Sequence, residues 1–317
     1  MPTKLTRTNF FIACISYAVL IILVFLLPGA CIDNEALRGR ILINLTDAPV
    51  DASNIKEVNI AIRSIEVLKE GSETWQTIKS FEEPRTIDLL AFSEGKAFDL
   101  TEQYLTPGDY QGIRLELNLA NVDNGLTVFP QSNIVFTNGT QEALFVQAGA
   151  DSYVENMDAF SIVTNQTTFL TLDFDVRKSV VLINGAYALD PQMRVVKTDN
   201  TGTIDGQFRD FADYPKVIAL AYKPGSFNAN EAANERAFAN SISSTNVNAN
   251  VSGRFTLAFL EEGNYDLVFA ALNNDGSVDT VLGKLSNAAV GKGETTAVCV
   301  QLSVPQVQGN CVQIEPL

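Results

Sequence analysis

The chain has 317 residues, with 37 acidic against 22 basic side chains and no histidine. A net charge of −15 argues against nucleic acid as a partner, because a phosphate backbone demands a basic face. The missing histidine excludes Ser-His-Asp and Cys-His catalysis, histidine zinc sites and an imidazole pH switch. The acids are dispersed, as on a solvated surface, and the length suffices for two cores of ordinary size.

Two cations, Lys4 and Arg7, precede the uncharged apolar run Phe10 to Leu27, and Pro28-Gly29-Ala30-Cys31 follows. A positive segment, an apolar core and small residues before a cysteine form an export signal. The leader, residues 1–31, resembles a bacterial lipoprotein signal, which implies lipidation of Cys31 and a membrane partner through that lipid. Leu27 stands one place further from the cysteine than the lipoprotein pattern has its aliphatic residue. The run is also long enough for an uncleaved anchor or for simple secretion. In both retained forms the body lies outside the cytoplasm. Removing Lys4 and Arg7 with the leader leaves 20 basic against 37 acidic residues. Cys14, within the apolar run, reads as a small hydrophobe.

A short acidic tether, 32–37, leads into alternating apolar runs broken by Gly, Asn, Asp and Pro, a β pattern. Ile41, Ile43 and Leu45 share one face. Val58, Ile60 and Ile62 share another, and Ile65 and Val67 resume it out of phase, which predicts a bulge. Glu70-Gly71-Ser72 predicts a hairpin turn toward Trp75 and Thr77. Ile113, Leu115, Leu117 and Leu119 alternate with polar residues, as do Leu170, Leu172, Phe174 and Val176. Residues 121–161 are less regular. Thr198-Asp199-Asn200-Thr201-Gly202 is a polar turn cluster and predicts a boundary between a domain at 38–198 and another at 199–317. In the second, Val217 to Tyr222, Phe255 to Leu260 and Tyr265 to Leu272 read as strands. An Ala/Asn-rich insertion at 227–244 predicts one helix over Glu231 to Phe238, capped by Asn230.

Leu105-Thr-Pro-Gly108-Asp-Tyr110 and Leu260-Glu-Glu-Gly263-Asn-Tyr265 share a Leu-x-x-Gly-polar-Tyr pattern ahead of a strand. Glycine supplies the tight turn, and the tyrosine packs its ring while its hydroxyl bonds backbone, as in the tyrosine corner of immunoglobulin-like sandwiches. The fold class expected is all-β: two immunoglobulin-like or transthyretin-like β-sandwich domains after an N-terminal apolar signal helix.

Five ordered motifs then carry a family resemblance: Gly39 to Pro49, Val58 to Val67, Ile87 to Leu90, Leu105 to Tyr110, and Leu172-Asp173-Phe174-Asp175 with Lys178-Ser179-Val180. Over residues 38–198 the chain resembles domain of unknown function family 4382, found in exported bacterial lipoproteins. Residues 203–317 resemble transthyretin-like or carboxypeptidase-regulatory-like sandwiches. The resemblance implies a β-sandwich at the cell surface or in the periplasm, and no established activity.

Cys299 and Cys311 are the two cysteines beyond Cys31 in the body, and in an exported chain they are expected to form a disulfide. Two thiolates without histidine are too few ligands for zinc. Asp47, Asp173 and Asp175, with Asp51 and Asp88, are the acids of the family-like segments and are candidate calcium ligands. The competing reading makes Asp47 a turn acid and puts Asp173 and Asp175 on a solvated face. Asn273-Asn274-Asp275-Gly276 reads as a hairpin turn, since a calcium loop would put Ala271 and Leu282 at ligand positions. Trp75, Tyr104, Tyr214 and Tyr222 are candidates to stack on sugars, although a lone tryptophan also suits a core. No carboxylate pair is singled out for glycoside hydrolysis. No cofactor is expected. The function expected is a cell-envelope binding, adhesion or structural lipoprotein without catalytic activity, facing a glycan or protein ligand. The alternatives are a carbohydrate-binding accessory lipoprotein of a polysaccharide-processing system and a carboxylate-based hydrolase.

Overall fold

The computed structural model describes residues 37–48, 54–121, 132–146, 152–210, 213–234, 237–302 and 311–317. The leader with Cys31, tether residues 32–36 and Asp51 lie outside these residues. Among the described residues no helix is long and apolar enough to cross a membrane.

Alternation places Ile41, Ile43 and Leu45 of strand Gly39–Ala48 in the core, and all three are fully buried. That strand is central in a four-stranded sheet. It runs antiparallel to Phe98–Leu105 and parallel to Thr167–Asp175, which pairs in turn with Met193–Lys197. A second sheet is built on Ile55–Lys69. Gln76–Asp88 flanks it on one side, while Gly108–Leu117 and Asn133–Phe136 share the other. The phase break after Ile62 is a register shift between Ile62 and Ser64 against both Gln76–Asp88 and Gly108–Leu117. The hairpin expected at Glu70-Gly71-Ser72 is present, with the Ser72 amide donating to the Lys69 carbonyl at 3.0 Å and Gly71 at φ 76°. Inward residues of both sheets form one continuous core from Ile41 to Met193. A small sheet joins Ala120–Asn121 and Phe145–Val146 to the later strands Ala186–Leu189 and Val180–Ile183.

The 3₁₀ turn Thr198–Asn200 ends this half. In the second half, Thr201–Arg209 lies between Arg254–Glu261, antiparallel, and Thr295–Gln301, parallel. The facing sheet orders Ser243–Asn246, Lys216–Tyr222, Gly263–Leu272 and Val278–Val290. Ile204, Phe208, Leu257, Leu267 and Phe269 fill the space between. None of these sheets combines strands from before and after Asn200.

The two halves repeat one path. The first strand enters one sheet and the second crosses to the other. A third pairs beside the second, a fourth returns antiparallel to the first, a tyrosine corner carries the chain across again, and a late strand lies parallel to the first. Both corners have the same geometry: Tyr110 Oη donates to the Thr106 carbonyl and Tyr265 Oη to the Glu261 carbonyl, each at 2.8 Å. Gly108 and Gly263 have φ of 134° and 155°, values that disfavour a side chain.

The insertion differs from expectation. Its helix is a 3₁₀ turn, Ala229–Ala233, capped by Asn228, whose Oδ1 accepts from the Asn230 amide at 3.0 Å. Phe238 is drawn down onto Ile218, Leu220 and Tyr222 on the outer face of the sheet, at φ 60°, a value no continuing helix permits. The end of the predicted insertion belongs to strand Ser243–Asn246.

Candidate functional site

Asp47, Asp173 and Asp175 meet at one end of the parallel pair, where Thr46 is opposite Asp173, Asp47 opposite Phe174 and Ala48 opposite Asp175. They are buried, which corrects the solvated-face reading of Asp173 and Asp175 and the turn reading of Asp47. The reason is the cover they receive. Arg194 Nη2 bonds Asp173 Oδ2 at 2.6 Å, while Nη1 of the same guanidinium donates to the Phe259 carbonyl of the second half at 3.0 Å. Lys178 pairs with Asp175 at 2.9 Å and also donates to the Ser241 carbonyl. Asp175 caps the short helix Val176–Ser179 by accepting from the Lys178 amide at 3.1 Å, and Asp47 accepts from the Val176 amide at 3.0 Å. Asp88 accepts from the Val58 and Leu90 amides, and burial raises its carboxyl pKa. Cations and backbone amides thus take the places a metal would need. Among the described residues no group of three or more His, Cys, Asp or Glu is arranged to hold a metal ion.

The outer face of the Ile55–Lys69 sheet presents a different cluster. The Arg114 guanidinium carbon lies 3.9 Å from the Tyr153 ring centroid and 4.4 Å from that of Trp75. Its Nε and Nη2 both bond Glu66 Oε2, at 2.8 and 2.7 Å, and Thr77 donates to Glu66 Oε1 at 3.3 Å. Ser64 donates to Glu116 alongside, at 2.9 Å. Gly112 lets the cluster sit close to the strand, since a Cβ there would come within 2.8 Å of Met157 Sδ and 3.0 Å of the Trp75 ring. Trp75 and Tyr153 are half-buried and Met157 is 53% exposed. The lone tryptophan is therefore outside the core, on a polar face whose charges hold its ring in place. Spacing alone could not show this, since Trp75 precedes strand Gln76–Asp88 and its partners come from two other strands.

Of the other aromatic candidates, Tyr104 is 47% exposed and Tyr214 partly buried. Tyr222 is fully buried, a correction to its placement among sugar-stacking rings. Its hydroxyl donates to Glu231 Oε2 at 3.3 Å, and burial beside that carboxylate raises its pKa far above the usual tyrosine range. Cys299 and Cys311 are joined as a disulfide, with Cα atoms 4.4 Å apart. It ties Thr295–Gln301 to the edge strand Val312–Gln313. Asn273 to Gly276 form the expected hairpin turn, with the Gly276 amide donating to the Asn273 carbonyl at 3.0 Å.

Facing sheets, two tyrosine corners and a disulfide-tied edge define a β-sandwich protein. Residues 38–191 match the model of the family described as domain of unknown function DUF4382. No curated protein matches the chain. Solved structures resemble it weakly. The TIE protein of Bacillus anthracis is 11% identical with a TM-score of 0.22, covering 83% of this chain and 34% of its own. A minor pilin of Streptococcus agalactiae is 11% identical with a TM-score of 0.20, covering 85% and 99%. A family 26 carbohydrate-binding module from Eubacterium rectale, solved with maltoheptaose, is 11% identical with a TM-score of 0.20, covering 83% and 91%. The chain thus spans about a third of the Bacillus protein, and likenesses at these TM-scores carry no argument about function.

Proposed function

We propose that the protein is a non-catalytic binding or adhesion module of the bacterial cell envelope, held at a membrane through lipid on Cys31 and folded as two domains that divide at Thr198–Gly202. The export-type leader and the disulfide support the location. The observation that carries the binding role is the Trp75, Arg114, Tyr153 and Met157 cluster. Trp, Tyr and Arg dominate binding hot spots, and here they are pre-ordered on an open sheet face by Glu66 and Gly112. The acids of the family motifs hold strand ends and join the halves, which supports a structural role for them in place of a catalytic one.

Binding of the full-length chain in detergent micelles to a glycan array and to immobilised envelope proteins tests this role. Saturable binding that falls about tenfold in Trp75→Ala supports it. Binding unchanged in that variant removes the cluster from the account. Turnover of a glycoside panel would replace the module with the hydrolase reading. Acyl-probe labelling that disappears in Cys31→Ser supports the lipid anchor; unlabelled protein that stays in the membrane identifies the apolar run as the anchor. Each half, expressed alone, should give a cooperative melt if the division is right, and two unfolded fragments would refute it.

The second reading, a carbohydrate-binding accessory lipoprotein, is favoured by the ring faces of Trp75 and Tyr153, to which sugars bind by stacking. Array binding confined to glycans supports it over protein adhesion.

A further inference from the structure

Where the halves meet, the Arg194 bond to Phe259 and the Lys178 bond to Ser241 leave a cleft of about 510 Å³ beside them. This is a size ordinary for a small-ligand site, at a place such sites favour. Phe160 and Leu170 form its apolar wall from the first half, and Ile242 contributes from the second. Lys197 and Lys223, one from each half, line it as well. Neither ammonium makes a hydrogen bond or ion pair among the described residues; Lys223 Nζ only overlies the Tyr265 ring, 5.6 Å from its centroid. Arg194, on the same wall, keeps its buried Nε without a hydrogen-bond partner. The cleft therefore carries donors and positive charge that the protein leaves unanswered, within a chain whose overall charge is negative. Asp158 and Glu261 also border it, and among the described residues their carboxylates make no hydrogen bond or ion pair. A simple anion would meet these two acids unfavourably, whereas hydroxyl donors on its body would satisfy them.

We infer that this cleft binds a saccharide bearing a carboxylate, of the hexuronate class. Its carboxylate lies between Lys197 and Lys223, its hydroxyls donate to Asp158 and Glu261, and its C–H face rests on the half-buried Ile242. The inference accepts the protein as an extracytoplasmic binder but does not depend on Trp75, Arg114 or Tyr153, none of which lines the cleft. Recognition from both halves at once also gives the ligand a mechanical role, since occupancy bridges them.

Calorimetric titration of the full-length chain in detergent micelles tests this with three probes: trigalacturonate, its carboxyl-reduced neutral counterpart, and succinate. Trigalacturonate should bind saturably, and about tenfold more weakly in Lys197→Ala/Lys223→Ala, whose exposed side chains make no contact the fold needs. The neutral trisaccharide and succinate should each bind at least about tenfold more weakly than trigalacturonate. Added salt should weaken the interaction, as expected for partly exposed charges. Equal binding of the neutral sugar overturns the role of the carboxylate, and equal binding of succinate overturns the saccharide. No binding of trigalacturonate, or binding indifferent to the two lysines, overturns the site. Trp75→Ala separates the readings: loss of trigalacturonate binding there, with the lysine variant unaffected, sinks the cleft and leaves the outer-face cluster standing.

Discussion

Tyr110 and Tyr265 each spend a buried ring and one hydroxyl on a single carbonyl four residues back, fixing the angle at which the chain leaves one sheet for the other. Tyr110→Phe and Tyr265→Phe keep the ring and remove the bond. Each should cost about 1 kcal/mol in denaturant unfolding, since the freed carbonyl loses a partner without leaving a cavity. A loss below a few tenths of a kcal/mol would mean the corner is held by packing alone. Tyrosine burial also sets a pH dependence. Burial raises the pKa of Tyr110, Tyr187, Tyr222 and Tyr265 above the ordinary 10.0, so the folded state retains protons that the unfolded chain gives up. Their contribution to stability is complete below pH 10.0 and declines as pH rises through and beyond it. Ultraviolet titration should show these four ionising late, together with unfolding. A single early step for all eight tyrosines would contradict their burial.

At the scale of elements, strand Gln76–Asp88 is a 13-residue edge, paired among the described residues only with Ile55–Lys69. Its guard is chemical. Pro84 removes one donor, Glu82 and Glu83 add charge, and Lys79 and Arg85 lie 5.4 and 6.0 Å from the Phe81 ring centroid. Replacing Pro84 with Val and both glutamates with Thr should increase concentration-dependent light scattering at unchanged secondary structure. Scattering equal to the parent would show that the edge is protected by shape. At the other end of the chain, the Cys299–Cys311 loop should stabilise by about 3 kcal/mol on chain-entropy grounds. The double serine variant is expected to lose about that much and to exchange amide hydrogen fastest at Val312–Gln313, whose pairing depends on that tie. Uniform loss of protection across the second half would instead make the disulfide a condition of the entire fold.

These elements also show what was legible before any coordinates. Alternation located Gly39–Ala48, Gly108–Leu117 and Thr167–Asp175, and the phase slip at Ile62 marked a real register shift, because side-chain direction in a strand is a local property. The paired Gly-polar-Tyr motif carried the repeat for the same reason. Burial of Asp173, Asp175 and Tyr222 was not legible, because it depends on what covers a face: Arg194 and Lys178, tied down by the Phe259 and Ser241 carbonyls, and the fold-back of the 227–244 segment, none of which alternation encodes. The Trp75 cluster and the cleft were hidden in the same way, each assembled from strands whose adjacency no periodicity encodes.

In the whole molecule, each half closes on a parallel pair joining its first strand to a late one, and Arg40 meets Thr167 across 127 residues of chain. Contacts of such range make folding slow, because the loop must be ordered before the pairing rewards it. If the chain is exported as the proposed function has it, threaded through a membrane from its N-terminus, that delay is useful. While Thr167–Asp175 is still on the ribosome, Gly39–Ala48 has no parallel neighbour and the first sandwich cannot lock. The second must likewise wait for Thr295–Gln301. The topology therefore acts as a timer, keeping each half threadable until nearly all of it has been made.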